Sequence, residues 1–353
     1  MTKPTVGYIG LDHHHANAYL DSLQQLPVSL SSICEPNPEY EPSRTSLDGL
    51  PFYRDPESLL TENDPDIVWI SLSNKATPDI IEQAVTHGVD VYAEKPSAKT
   101  APELESLRDV VENSDATLSF SYTWRGHPAA QELKERAKQD FFGDVRTVEM
   151  RFLASQLQAR ETSHYLYESD ASRGGIVQWL GVHWIDLLPW IMGDPITEVN
   201  ATTTAKTESV SVEDGAVIQL KFESGALGSL QCGYYLRENR YDTYLSITGT
   251  EGRMSWDPMG DYFGFEDENT VEIESVSDAY SSAPRRYLTY DYDAVPGYGG
   301  GFGLAFMRQF LRARKNPAVE VPAGFDDAVY VLRVLDAIYE SANRNEWVGV
   351  SDD

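Results

Sequence analysis

The feature that most constrains this chain is a regular alternation of short apolar runs with helix-like stretches across its first third. Thr5-Val6-Gly7-Tyr8-Ile9 ends at Gly10, and Val28 to Cys34 ends at Glu35. Ile67 to Leu72 ends at Ser73-Asn74, and Val89-Asp90-Val91-Tyr92-Ala93 runs into Glu94-Lys95-Pro96. Between them lie helix-like segments such as Ala16-Asn17-Ala18-Tyr19-Leu20 and the stretch through Ile80, Ile81, Ala84 and Val85. Strands and helices at this interval predict βαβ units and a parallel sheet.

Open sheets of that kind bind ligands at the carboxyl ends of their strands, which is where Lys95 stands. Pro96 disfavours helix at Lys95, so the lysine is expected to be extended, with its ammonium projecting over the sheet edge. The plain alternative is a surface ion pair between Glu94 and Lys95, a contact worth little. Glu35 follows Gly10 at about the spacing at which dinucleotide folds place an acid on the adenosine ribose. A carboxylate there repels a 2′-phosphate, so NAD is expected rather than NADP.

Taken with several motifs further on, these residues resemble the Gfo/Idh/MocA oxidoreductases over nearly the whole length. The resemblance is carried by Glu94-Lys95-Pro96, Asn74, Arg125 and Pro128, the pair Gly174-Gly175, and Gly181-Val182-His183-Trp184-Ile185-Asp186. Phe306, Phe310, Asp326-Asp327-Ala328 and Ser341-Ala342 match the last two helices. It implies an α/β Rossmann-type N-terminal domain over 1–122 and an α+β C-terminal domain over 123–353. The second domain is expected to hold a large, mostly antiparallel open sheet, with the last helices packing back on the first. The implied activity is NAD(P)-dependent hydride transfer between a nicotinamide cofactor and a sugar, polyol or related hydroxylated small molecule. Lys95 and His183 are then the catalytic candidates. Gly10, Leu11, Asp12, His13, Glu35, Ser73, Asn74, Glu94, Lys95 and Arg125 form the cofactor-binding set. Family members often use the free sheet face for assembly, which implies a homodimer or homotetramer.

Two departures stand beside the matches. The family's first turn usually reads Gly-x-Gly-x-x-Gly, whereas here Asp12 and His15 replace the second and third glycines. A side chain in the second place crowds the approach to a pyrophosphate. Asp12 is also a good N-cap, expected to accept from the free amides of the first helical turn. The His13-His14-His15 run could offset its charge by donating to phosphate oxygens. No metal site is expected, since adjacent histidines on a tight turn cannot all face one ion. In the second departure, Trp179 occupies the place of an aspartate commonly found four residues before the family's histidine. General acid/base transfer needs only one well-placed group, so catalysis is not forbidden. Trp179 is read either as a flat wall for a sugar ring or as a core residue. His164 and Tyr165, in a polar loop, and Asp186, three residues beyond His183, are further candidates for touching substrate, each with an ordinary structural reading beside it. These departures leave two rivals open: a catalytically silent nucleotide or sugar sensor, and an elimination or hydrolysis enzyme that recycles bound NAD.

The second half alternates in the two-residue rhythm of strands at Thr147 to Phe152, Gly215 to Phe222 and Tyr244 to Ile247, with Glu223-Ser224-Gly225-Ala226 as a hairpin turn. The polar stretch from Met259 to Pro296 is expected to be an insertion between strands. The glycine-rich run Gly297 to Gly303 is read as a flexible loop or linker.

A formal charge of −28, from 56 acidic and 28 basic residues, makes nucleic acid and anionic membranes poor partners. Acidity this dense and evenly spread points to a halophilic cytoplasm. Cys34 and Cys232, each in an apolar run, are expected to be buried free thiols. No apolar run is long enough to cross a bilayer and no secretory leader is seen, so a cytoplasmic protein is expected.

Overall fold

The computed structural model describes residues 3–40, 44–159, 161–236, 241–259, 268–291 and 295–351. It divides into two compact units, Met1–Gly126 with Ala294–Tyr330, and His127–Asp293 with Val331–Asp353.

In the first unit, β1 (Thr5–Ile9), β2 (Ser29–Cys34), β3 (Phe52–Tyr53), β4 (Ile67–Ile70), β5 (Asp90–Ala93) and β6 (Leu118–Phe120) form one sheet in the order β3-β2-β1-β4-β5-β6. Every pairing is parallel. Such strands are covered on both faces and read as apolar runs, and β4 and the end of β5 are fully buried. The order reverses between β1 and β4, so the ligand-binding crevice of this topology falls at the carboxyl ends of those two strands. Trp69 and Tyr92 stack beneath it with centroids 3.8 Å apart. The turn Thr123–Gly126 belongs to this unit because Gly126 lies so close to Phe302 that a Cβ would strike the Phe302 carbonyl.

The glycine run read as a loop or linker is instead half helical. Gly299 starts the helix Gly300–Ala313 at a φ of 72°, and Gly303 packs so tightly on the Tyr298 carbonyl that no side chain fits. Small size is what permits the helix to begin there.

The second unit is built on nine strands. They are β7 (Val145–Ala154), β8 (Ile196–Thr204), β9 (Gly215–Phe222), β10 (Leu227–Gly233), β11 (Tyr241–Gly249), β12 (Gly252–Trp256), β13 (Glu268–Ser275), β14 (Arg285–Asp291) and β15 (Val348–Gly349). Their order is β14-β13-β12-β11-β7-β10-β9-β8-β15, antiparallel except between β7 and β10. The stretch expected to be an insertion therefore adds two strands, β13 and β14; its residues 260–267 and 292–294 lie outside the described residues. Their alternation was masked by polar residues on both faces: Asn269 and Ser275 are buried in β13, while Arg285, Tyr287, Thr289 and Asp291 are exposed on β14.

Ala216, Ile218, Leu220 and Phe222 point inward from β9, while Val217 and Gln219 point out. Against the inner face lies the helix Val182–Met192, nearly all buried. Its Trp184 packs on Phe152 with centroids 5.0 Å apart, and the indole N–H donates to the Arg151 carbonyl at 2.9 Å. Cys34 and Cys232 are free and buried. Among the described residues no helix is long and apolar enough to cross a membrane.

Candidate active site

In the first unit the strand β1 breaks at Gly10, whose φ of 98° and contact with the Ser71 carbonyl leave no room for a Cβ. The turn that follows is organised by Glu35 at the end of β2. Its buried carboxylate accepts from the Asp12 amide and the Asn37 amide, each at 2.8 Å, and from the Leu11 amide. Burial raises the Glu35 carboxyl above its ordinary range, and these amides pull it back.

Asp12 does not cap the helix. Ala16–Gln25 begins with His15 as N-cap, without a side-chain cap bond and without an acid in its first turn. The Asp12 carboxylate instead accepts from Asn37 Nδ2 at 3.0 Å. The three histidines lengthen the turn and delay the helix, so Asp12 lies too far back to reach the first helical amides. The first turn of the helix thus contains no acid of its own and its N-cap makes no side-chain cap bond, which suits a bound phosphate at that end. Together with Gly10 and Glu35, this turn fits a dinucleotide.

Glu94 is the centre of a buried network beside it. Its Oε2 accepts from the Tyr19 hydroxyl at 2.5 Å and lies 3.1 Å from His15 Nδ1. The Tyr19 hydroxyl also contacts Ser121 Oγ at 2.5 Å, and Tyr92 donates to the same Ser121 oxygen at 3.2 Å. Glu94 Oε1 accepts from the Lys95 amide at 3.1 Å and stands 4.0 Å from Lys95 Nζ. Burial pushes the Glu94 carboxyl up, but the charge and hydrogen bond of His15, with Lys95 and His13, outweigh it and hold it at about 2. Burial drives His13 well below its ordinary value, so at neutral pH His13 is uncharged. Tyr298 covers the group, its ring 4.4 Å from that of His15.

The Glu94-Lys95 pair is thus not a surface contact. Lys95 is 1% exposed, and the Lys95-Pro96 bond is cis. Pro96 keeps Lys95 out of a helix, but the side chain turns into the protein rather than over an open edge.

His13, His15 and Glu94 bring one ligand-type atom each within 4.8 Å of one another. The hydrogen bonds describe this group better than a metal would. His13 Nδ1 accepts from the His15 amide at 3.0 Å, so the proton of the neutral ring sits on Nε2, the nitrogen an ion would need.

The other members of the cofactor set hold local structure. The Ser73 carbonyl accepts from the Ala76 and Thr77 amides at 3.0 and 3.1 Å, which starts the helix Thr77–Thr86. Asn74 is buried beside it, and Leu11 is buried in the turn. Arg125 donates to Asp327 Oδ1 at 2.9 Å and to the Pro322 carbonyl at 3.3 Å, clamping the start of the last helix.

In the second unit, His183 sits in the first turn of Val182–Met192, buried, with its ring stacked towards Phe152 at 6.4 Å. Asp186 is buried on the same helix. Before it, Val177–Gly181 is a π-helical turn that contains Trp179, 6% exposed among core residues, and the fully buried Gln178. Single π turns inside helices concentrate at functional sites.

This turn is anchored by Glu213, which the sequence reading did not single out. Its carboxylate accepts from the Gly175 amide at 2.7 Å, the Val177 amide at 3.0 Å and the Tyr339 hydroxyl at 3.0 Å. Burial raises its carboxyl above the usual range even so. The Gly174-Gly175 pair has its reason here. A Cβ on Gly174 would strike the Tyr339 hydroxyl, and one on Gly175 the Glu213 carbonyl. His164 and Tyr165, half-buried, stack on each other at 4.2 Å, and His164 Nδ1 accepts from the Leu166 amide at 3.3 Å to start a short turn.

Residues 5–122 match the family described as "Oxidoreductase family, NAD-binding Rossmann fold", and residues 130–255 match the "GFO/IDH/MocA C-terminal domain". The chain is similar to D-xylose 1-dehydrogenase (NADP(+)) 2 of Haloferax volcanii, 26% identical over 83% of each chain. Among solved structures, an oxidoreductase domain protein from Kribbella flavida superposes with a TM-score of 0.85 at 21% identity, over 100% of both chains. A levoglucosan dehydrogenase in complex with NADH and levoglucosan does so with a TM-score of 0.82 at 21% identity, over 99% of this chain and 100% of that one.

Proposed function

Because this chain belongs to the GFO/IDH/MocA oxidoreductase family, we propose that it is a dehydrogenase that oxidises a CH–OH group of a sugar or polyol, with Lys95 as the proton-handling group. The observation that carries this reading is the Lys95 side chain, fully buried at the carboxyl end of β5 beside a carboxylate held ionised. A lysine placed there without a chemical task would cost desolvation with little return.

A bound nicotinamide would take the hydride from the substrate carbon. Lys95 in its neutral amine form takes the hydroxyl proton, and the Glu94 carboxylate stabilises the ammonium that forms. Tyr19 and His15 fix the carboxylate in place for that work. In the second unit we assign His183 to proton handling and Asp186, His164 and Tyr165 to substrate hydroxyls. Trp179 supplies an apolar surface rather than the family's carboxylate.

Gly10, Leu11, Asp12, His13, Glu35, Ser73 and Asn74 are assigned to the cofactor. Glu35 favours NAD over NADP, since its carboxylate would meet a 2′-phosphate. The relative named for NADP(+) makes this a point for direct measurement. Assembly through the exposed face of the nine-stranded sheet, and a home in a salt-rich cytoplasm, complete the reading.

The test is Lys95→Met, which keeps the length of the side chain and removes its charge. Turnover of a sugar or polyol should fall by about 10²- to 10⁴-fold, while calorimetry shows NAD bound as in the wild type. Turnover at the wild-type rate would remove Lys95 from the chemistry.

A further inference from the structure

At the opposite end of the first unit's sheet lies a groove of about 520 Å³, lined by Pro4, Pro27, Arg308, Leu311, Arg312, Lys315, Asn316 and Val319. Pro4 and Pro27 precede the starts of β1 and β2, so the groove opens at the amino ends of strands whose carboxyl ends carry Gly10 and Glu35. It is distinct from the cofactor turn.

Its charge is anomalous. The chain carries twice as many acids as bases, yet no carboxylate is among the residues lining this groove. Elsewhere basic side chains are taken up by acids, as in Arg108 with Glu105, Arg136 with Glu132, Arg173 with Asp336, and Arg285 with Glu272. Even Arg314, next in sequence to Lys315, is held by Asp90 at 2.7 Å. Arg308, Arg312 and Lys315 are exposed and enter no ion pair with a carboxylate among the described residues. The acid nearest in influence is Asp66, whose carboxyl is lowered in small part by Arg314 and Lys315 but is bonded to the Thr5 amide and hydroxyl. Offsetting the negative end of the helix Gly300–Ala313 accounts for Arg312 and Lys315. It does not account for Arg308, a full turn earlier, nor for the three gathering round one groove.

We propose that this groove binds a small organic polyphosphate. Arg308, Arg312 and Lys315 follow one another at helical spacing along roughly 10 Å of axis, the reach of a polyphosphate chain with its sugar. Guanidinium groups present paired donors that match phosphate oxygens. Leu311, Val319, Pro4 and Pro27 supply an apolar floor for the rest of the molecule, and the volume lies in the range of small-molecule sites. On a chain with a formal charge of −28, this carboxylate-free groove is a place where an anion is accepted.

The test uses ADP as probe, titrated calorimetrically into the full chain with NAD in excess so that the cofactor turn is occupied, at low and at molar KCl. The expected result is one ADP bound outside the cofactor turn, weakened by salt. Its affinity should fall about tenfold or more in the triple variant Arg308→Gln, Arg312→Gln, Lys315→Gln. Lys206→Gln, which removes an exposed lysine in the other unit, should leave it unchanged. Because the three side chains are exposed, the variant should keep its fold, checked by circular dichroism. Undiminished binding in the triple variant, or no ADP binding to the wild type, overturns the proposal. Neither result depends on whether the chain is a dehydrogenase, since the comparison is between proteins with the same cofactor turn.

Discussion

His15 replaces the third glycine of the family's turn, and the structure gives it a task that the sequence did not suggest. Its partner Glu94 is 79 residues away, a separation at which only the parallel sheet brings the two together. Lys95 and Glu94 were legible because they are adjacent and share a motif, whereas the histidine run offered only phosphate binding or a metal. A depressed carboxyl contributes stability that is present above the unfolded value near 4.3 and is lost as pH falls through the folded value, about 2 for Glu94. His15→Phe keeps a ring against Tyr298 but removes the charge and hydrogen bond, so burial should push the Glu94 carboxyl up. Acid unfolding followed by tryptophan fluorescence should then begin at higher pH than in the wild type. Coincident curves would mean that His15 does not hold Glu94.

Elements read well where the alternation of side chains was uninterrupted. The hairpin of β9 and β10 turns at Gly225 as Glu223-Ser224-Gly225-Ala226 suggested, and the helix bearing His183 lies on the inner face of the sheet. The π turn at Val177–Gly181 left no trace in periodicity, and neither did its anchor Glu213, which reaches it from a loop 36 residues on. Helix caps were read by residue type alone, which misplaced Asp12 and overlooked His127. The His127 Nδ1 accepts from the Ala129 amide at 3.1 Å to cap Pro128–Lys138, with its ring against Trp256. Burial lowers its pKa to about 3. Between the ordinary value near 6.5 and about 3 the unfolded chain binds a proton that the folded one refuses, so stability falls as pH drops through that window. His127→Asn keeps a capping acceptor without the titration. It should flatten the dependence of unfolding free energy on pH there by up to about 1.4 kcal/mol per pH unit. An unchanged slope would show that His127 titrates normally.

At the scale of the whole molecule, both sheets could be anticipated because the chain follows its family's plan, while substrate and partners are set by side chains that no motif encodes. A charge of −28 is mutual repulsion that salt relieves. The thermal midpoint should therefore rise steadily from low to molar KCl, and a midpoint that falls or stays level would argue against a salt-adapted surface. The central claim is that the altered turn at Gly10, Asp12 and His15 still holds a nicotinamide dinucleotide. Calorimetric titration with NAD and NADP separately, in molar KCl, on protein shown to carry no retained nucleotide, tests it most directly. The account predicts one NAD per chain, bound more tightly than NADP; no binding of either to the folded protein would contradict it.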